Sequence, residues 1–129
     1  MKICWHGDIK SRYDGAFKDL PVRILNHNDE NHISSGHLYF VRVNNVTEEI
    51  RNKIIIKMAK KGVACNVHYK PLPMMTAYMN LGFDIKDYPN AYHQYQNQIT
   101  LPLYSKLTKD DVDFIINCFK ESLEEYGCC

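Results

Sequence analysis

The segment Asn66 to Met75, NVHYKPLPMM, concentrates most of the chain's chemistry. His68 supplies an imidazole, Tyr69 a phenol and Lys70 an ammonium at consecutive positions, and Pro71 and Pro73 stiffen the residues just after them. Such groups hydrogen-bond a polar ligand or hold an anion. Two readings are open. In one, His68 caps a strand end, Tyr69 packs on Pro71, and both stiffen a turn. In the other they bind, because loops at strand ends on a rigid scaffold carry binding residues.

Other constellations are weaker. His27, His32 and His37 are spaced by five, with Asp29 and Glu30 between them. That spacing matches neither one helix face nor one strand face, and zinc ligands come in tighter pairs. The segment NHNDENHISSG is therefore expected to be a solvated surface loop, with no metal. Cys65 and His68 are three apart and would face opposite sides of a strand, so no nucleophile–base pair is expected. Tyr88, Tyr92 and Tyr95 could stack on a flat ligand. A tyrosine stripe at helical spacing is instead expected to be core with wet hydroxyls. There is no G-x-G-x-x-G, P-loop, G-x-S-x-G or H-E-x-x-H, and no lysine in a recognisable cofactor context.

The elements that must position these groups are legible in outline. The 129 residues suit one small domain, with 45% hydrophobic and 24% charged residues. The formal net charge of +1 shows no basic excess of the kind nucleic-acid partners require. No apolar run approaches the ~20 residues of a membrane span, and the N-terminus has no apolar h-region of a signal peptide. The five cysteines are odd in number and include no C-x-x-C pair. Cys65 and Cys118 fall on apolar positions and are expected to be buried. Cys128 and Cys129 read as an exposed tail end, and the setting as reducing and cytoplasmic.

Ile9, Tyr13, Ala16, Phe17 and Leu20 recur at helical spacing, weakened by Gly15 and ended by Pro21. PVRIL predicts a short extended piece, and Leu38–Val43 a strand. Thr47, Glu48 and Glu49 open a helix that Gly62 ends, with Ile50, Ile54 and Met58 on one face. Val63–Val67 is then predicted as a strand, giving a βαβ-like or split unit. Met74–Leu81 predicts one or two helical turns, and Gly82 to Asp87 a loop. A helix is expected from Asp87-Tyr88-Pro89, with proline in its first turn. Ile99–Leu103 predicts an edge strand, because Pro102 lacks an amide proton. Thr108 and Asp111 form a capping box for the last helix, whose apolar face is Val112, Ile115, Ile116, Phe119 and Leu123. The fold class is α+β, a small, mostly antiparallel sheet packed with helices.

Three segments in order, HYKPLP, YPNAY and ITLPLYSKLTKDDVDFII, resemble the C-terminal domain of the DegT/DnrJ/EryC1/StrS aminotransferases. These are pyridoxal-phosphate enzymes that aminate keto-sugars, mostly nucleotide-linked, for surface polysaccharides and antibiotics. The family pattern GI-x-x-x-x-HY-x-PLH is matched by Gly62 through Pro73, P-N-A by Pro89-Asn90-Ala91, and S-L-P-L-x-P-x-L-t by Thr100 through Thr108. The match runs from about His37 to about Tyr126, and residues 1–20 resemble the helix leading out of the family's large domain. Pro73 stands where the family has a second histidine, and Tyr104-Ser105 displaces a proline.

The resemblance implies a small domain, like that of a fold-type I aminotransferase, that closes one side of a substrate cleft. It implies His68 and Tyr69 as substrate-pocket residues for a sugar or phosphate, with Lys70 a weaker anionic contact. The family's catalytic lysine, the aspartate that pairs with the cofactor ring and the phosphate-binding residues lie in the large domain. Pyridoxal phosphate is therefore expected in the intact enzyme and not on this chain alone, which is expected to be inactive by itself. The expected partners are the large domain, a keto-sugar nucleotide and, through the surface that domain would cover, a second copy of the chain. The rival expectation is a free-standing α+β ligand-binding or protein-interaction module derived from such a domain.

Overall fold

The computed structural model describes residues 2–128, with the backbone alone for residues 2–7. The order is α1 (Lys2–Phe17), β1 (Val22–Ile24), β2 (Tyr39–Val43), α2 (Glu48–Lys60), α3 (Thr76–Asn80), α4 (Pro89–Gln96), β3 (Gln98–Leu101) and α5 (Lys109–Glu125). Single 3-10 turns precede α3 (Leu72–Met74) and α4 (Ile85–Asp87). The fold is α+β: five helices around one antiparallel sheet in the order β1-β2-β3.

The helix ends form where local chemistry demands. Thr108 Oγ1 accepts from the Asp111 amide at 3.1 Å, and Asp111 Oδ2 accepts from the Thr108 amide at 2.8 Å, closing the predicted capping box. Thr47 caps α2 by accepting from the Ile50 amide. At the other end of α2, Gly62 adopts φ +88°. The Gly62 amide donates to the Ala59 carbonyl and the Val63 amide to the Met58 carbonyl, a Schellman closure that a side-chain-bearing residue adopts only with strain.

That closure corrects one expectation. Residues 63–67 are not a strand, and no βαβ-like unit forms. The Val63 amide is already committed to Met58, and the Val67 amide to the Asn66 side chain at 2.7 Å. Only Asn66 pairs, exchanging both backbone bonds with Thr100 across the free side of β3. β3 is an edge strand of the sheet, as its proline predicts, the other edge being β1, but it ends at Leu101, before Pro102. The 82–87 segment likewise differs from a plain loop, since its 3-10 turn is capped by Asp84.

β2 alternates cleanly, whereas all four residues of β3 are buried. Tyr39, Val41 and Val43 are buried on one face of β2, while Phe40 and Arg42 occupy the other. Ile9, Tyr13 and Phe17 of α1, Ile54 and Met58 of α2, and the predicted α5 face meet the buried side of the sheet in one core. Its aromatic centre is tight: Phe17 meets Phe119 edge-on at 5.1 Å, and Tyr13 lies 4.8 Å from Tyr39. The buried hydroxyls are served, Tyr13 donating to the Pro102 carbonyl and Tyr39 to Asp14. Cys118 is buried and Cys65 half-buried against this core. Cys128 also packs against it, which corrects the exposed-tail expectation, while Cys129 lies outside the described residues. No helix among the described residues is long and apolar enough to cross a membrane.

Candidate functional site

The segment after Asn66 crosses the end of the sheet on the face away from the core. The bridge to Thr100 brings His68 over β3, where its Nδ1 lies 2.9 Å from Thr100 Oγ1. The carbonyl of His68 accepts from Gln98 Nε2 at 2.7 Å. Two β3 side chains on the same face thus fix both the ring and the backbone of one residue. The peptide joining His68 to Tyr69 is cis. Tyr69 stands edge-on to His68, 4.7 Å between ring centres, and is 71% exposed.

His68 and Tyr69 open onto a pocket of about 440 Å³ completed by Pro71, Asn90, Ala91, Gln94, Tyr95 and Gln98. Lys70 is exposed and does not line it. The pocket is built of hydrogen-bonding groups and aromatic edges, with no carboxylate among the described residues of its wall. Such a lining suits a polyhydroxylated, uncharged moiety better than a cation.

Behind the pocket lies a network that residue patterns alone did not reveal. Arg51, on the same α2 face as Ile54 and Met58, is 1% exposed. Its Nη1 donates to the carbonyls of Tyr95 (2.8 Å) and Gln98 (3.3 Å), and its guanidinium lies 4.7 Å from the Tyr95 ring centre. Glu48 sits 3.7 Å from Arg51 and accepts from Tyr95 Oη at 2.9 Å. Burial and the Glu48 bond raise the Tyr95 phenol above its usual range. A buried cation spanning the α4–β3 junction fixes the two elements that carry the pocket wall. The signal was an arginine on an apolar helix face, and a glutamine, Gln98, beside three apolar-compatible strand positions.

The tyrosine stripe is corrected by the same network. α4 buries none of its residues. Tyr92 and Tyr95 are half-buried with their hydroxyls turned to Glu48, and Tyr88 is exposed. Only Tyr95 of the three lines the pocket. The histidine loop also differs from a fully solvated one. His27 is half-buried and stacks on Tyr39 at 5.7 Å, its pKa held down by burial and then by Lys10. His32 pairs with Asp29 at 2.7 Å. Among the described residues no group of three or more His, Cys, Asp or Glu is placed to hold a metal.

Nucleophile and cofactor roles fare differently from binding. Burial, with Cys118 beside it, pushes the Cys65 thiol up to about 12, so it stays protonated at neutral pH. Pyridoxal phosphate requires a lysine amine for its Schiff base. Lys53, Lys57 and Lys61 are ion-paired to Glu49, Glu125 and Glu121. Lys10 is buried on α1 against Gly36, and Lys70 stays outside the pocket. No lysine among the described residues lines the His68 pocket, so this pocket does not supply the amine for that Schiff base.

Residues 6–120 match the DegT/DnrJ/EryC1/StrS aminotransferase family. The spore coat polysaccharide biosynthesis protein SpsC of Bacillus subtilis is 29% identical over 119 residues, which are 88% of this chain and 30% of SpsC. The Helicobacter pylori UDP-4-amino-4,6-dideoxy-N-acetyl-beta-L-altrosamine transaminase is 28% identical over 114 residues, 88% of this chain and 30% of that protein. The Streptococcus pneumoniae protein Spr1654, named as a sugar aminotransferase and solved with pyridoxamine phosphate, superimposes with a TM-score of 0.94 at 48% identity, over 97% of this chain and 31% of that one. The chain thus spans under a third of the length of each of these three relatives. The family model spans most of the chain, residues 6–120: this chain belongs to the DegT/DnrJ/EryC1/StrS aminotransferase family.

Proposed function

We propose that the chain is the C-terminal small domain of a pyridoxal-phosphate-dependent sugar aminotransferase, forming one wall of its substrate cleft. The observation that carries this reading is the superposition on Spr1654, which uses nearly all of this chain and under a third of the other. The intact enzyme transfers an amino group, with glutamate as donor, to a keto-sugar nucleotide. The cofactor supplies the electron sink when bound to the large domain. His68, fixed by Thr100 and Gln98, and Tyr69 at the pocket mouth hydrogen-bond the sugar. Lys70, outside the pocket, is at most a peripheral contact for anionic groups. The setting is cytoplasmic, in keeping with balanced charge and free thiols packed on the core.

The residues between the pocket and α4 support the same reading. Leu72, Met75, Tyr78, Met79, Leu81 and Phe83 are exposed although apolar. Leu72, Tyr78 and Phe83 line one apolar hollow; exposed apolar surface of this kind marks an interface, and the large domain that makes up the rest of the relatives' length is its occupant. By itself the chain self-associates through this surface.

The test is reconstitution. The chain replaces the corresponding third of Spr1654, and the hybrid and the chain alone are each given pyridoxal phosphate, glutamate and a panel of keto-sugar nucleotides. The hybrid is expected to aminate at least one of them and the chain alone none. Turnover by the chain alone, or a folded hybrid that binds cofactor yet aminates nothing, contradicts the reading.

A further inference from the structure

The antiparallel register places Arg23 of β1 directly opposite Arg42 of β2. Opposed residues point to the same side of a sheet, and Val22, Ile24, Val41 and Val43 hold the core side. Both guanidinium groups therefore rise from the outer face, beside Gln98, which opposes Arg42 on its other flank. Like charges directly opposed destabilise a sheet. Elsewhere the chain neutralises such cations: Arg12 pairs with Asp113, Arg51 with Glu48, Lys57 with Glu125 and Lys61 with Glu121. Among the described residues, neither Arg23 nor Arg42 meets a carboxylate.

Arg42 is instead aimed by neutral acceptors. Its Nε donates to Asn97 Oδ1 at 3.1 Å and its Nη2 to the His93 carbonyl at 3.2 Å. These bonds fix the group's position and leave its charge uncompensated. The two arginines, with Leu25, Phe40, Gln94 and Gln98, line a small pocket of about 60 Å³. That is several times the ~10–15 Å³ one water needs, and comparable to a small oxyanion. Gln94 and Gln98 also line the His68 pocket, so the two cavities share a wall.

We infer that Arg23 and Arg42 form an oxyanion subsite that holds the diphosphate of a nucleotide ligand whose sugar lies in the His68 pocket. This rests on the aminotransferase reading for the sugar, though not for the anion. Two opposed, planar, permanently charged forks match a group with several acceptor oxygens and more than one negative charge. The amide groups of Gln94 and Gln98 border the subsite, and Leu25 and Phe40 give it an apolar edge.

The test is calorimetric titration of the full chain with pyrophosphate, uridine diphosphate and glutamate, at low and moderate ionic strength. Saturable binding of both diphosphates is expected, weakened by salt. Arg23→Gln is expected to reduce it about tenfold or more and Arg23→Glu to abolish it. Lys86→Gln, on the distant 3-10 turn, should leave it unchanged. Arg23 has no intramolecular charge partner among the described residues, so its Gln variant should unfold at the wild-type temperature or above, which separates loss of binding from loss of fold. No saturable diphosphate binding, binding that survives Arg23→Gln, or preferential binding of glutamate overturns the inference. The Spr1654 hybrid separates the two claims. Wild-type KM for the nucleotide substrate in its Arg23→Gln form sinks the subsite and leaves the aminotransferase reading intact. Diphosphate binding by a chain whose hybrid never aminates does the reverse.

Discussion

The two faces of the three-stranded sheet carry opposite chemistry on the same strands. The inner face presents Tyr39, Val41, Val43, Ile99 and Leu101, all buried against α1, α2 and α5. The outer face presents Arg23, Phe40, Arg42, Gln98 and Thr100, with α4 and the 66–71 segment over part of it. On the inner face the buried Tyr13 and Tyr39 hydroxyls have their acceptors within the fold. On the outer face polar side chains fix one another and still leave donors turned to a pocket. One face stores the stability; the other carries two arginines that meet no carboxylate among the described residues.

That contrast can be broken from the inner side first. Burial, joined for Tyr39 by the Asp14 hydrogen bond, drives both the Tyr13 and Tyr39 phenols far above their ordinary value of 10.0. A pKa raised by folding means that stability is full below pH 10 and is lost as the pH climbs past it. Cooperative unfolding accompanied by tyrosinate absorbance is expected at alkaline pH. Smooth ionisation of all nine tyrosines without unfolding would show that the two phenols are not sealed in the core. Phe119→Ala removes the ring that meets Phe17 at 5.1 Å and should cost about 3–5 kcal/mol in denaturant unfolding.

At the boundary between the faces the expected cost falls. Arg51→Ala leaves the carbonyls of Tyr95 and Gln98 without their buried donor, for about 2 kcal/mol. It should also loosen the pocket wall, which faster amide exchange in α4 and β3 would report. Thr108→Ala removes a cap far from the pocket and should cost about 1 kcal/mol with no effect on ligand binding. A Thr108 variant that changed binding, or an Arg51 variant that left α4 exchange untouched, would blur the distinction between scaffold and site.

Legibility in the sequence tracks the range of the interactions. The α5 apolar face and its capping box are readable because both are set by residues within one or two turns. The Thr47 cap and the Gly62 stop of α2 are local in the same sense. The 63–67 segment misled because β-branched and apolar content cannot reveal that the Val63 and Val67 amides are already taken. His68 and Tyr69 stand out in the sequence by residue type and resemblance. What fixes His68, however, is Thr100 and Gln98, some thirty positions on, and no periodicity connects them. Arg51 bonds across more than forty positions, so its place on an apolar helix face was visible while its purpose was not. The opposed arginines became visible only once the register of β1 and β2 was fixed.

The claim that the outer face is the working face is tested most directly by His68→Ala in the Spr1654 hybrid, with unfolding and amination measured on the same preparation. His68 is half-buried and lies outside the core, so the account predicts a stability change of under about 1 kcal/mol and a fall in kcat/KM for the keto-sugar nucleotide of about tenfold or more. Wild-type kcat/KM in the folded variant would contradict it, and would return His68 and Tyr69 to the role of a stiff turn at the end of a sheet.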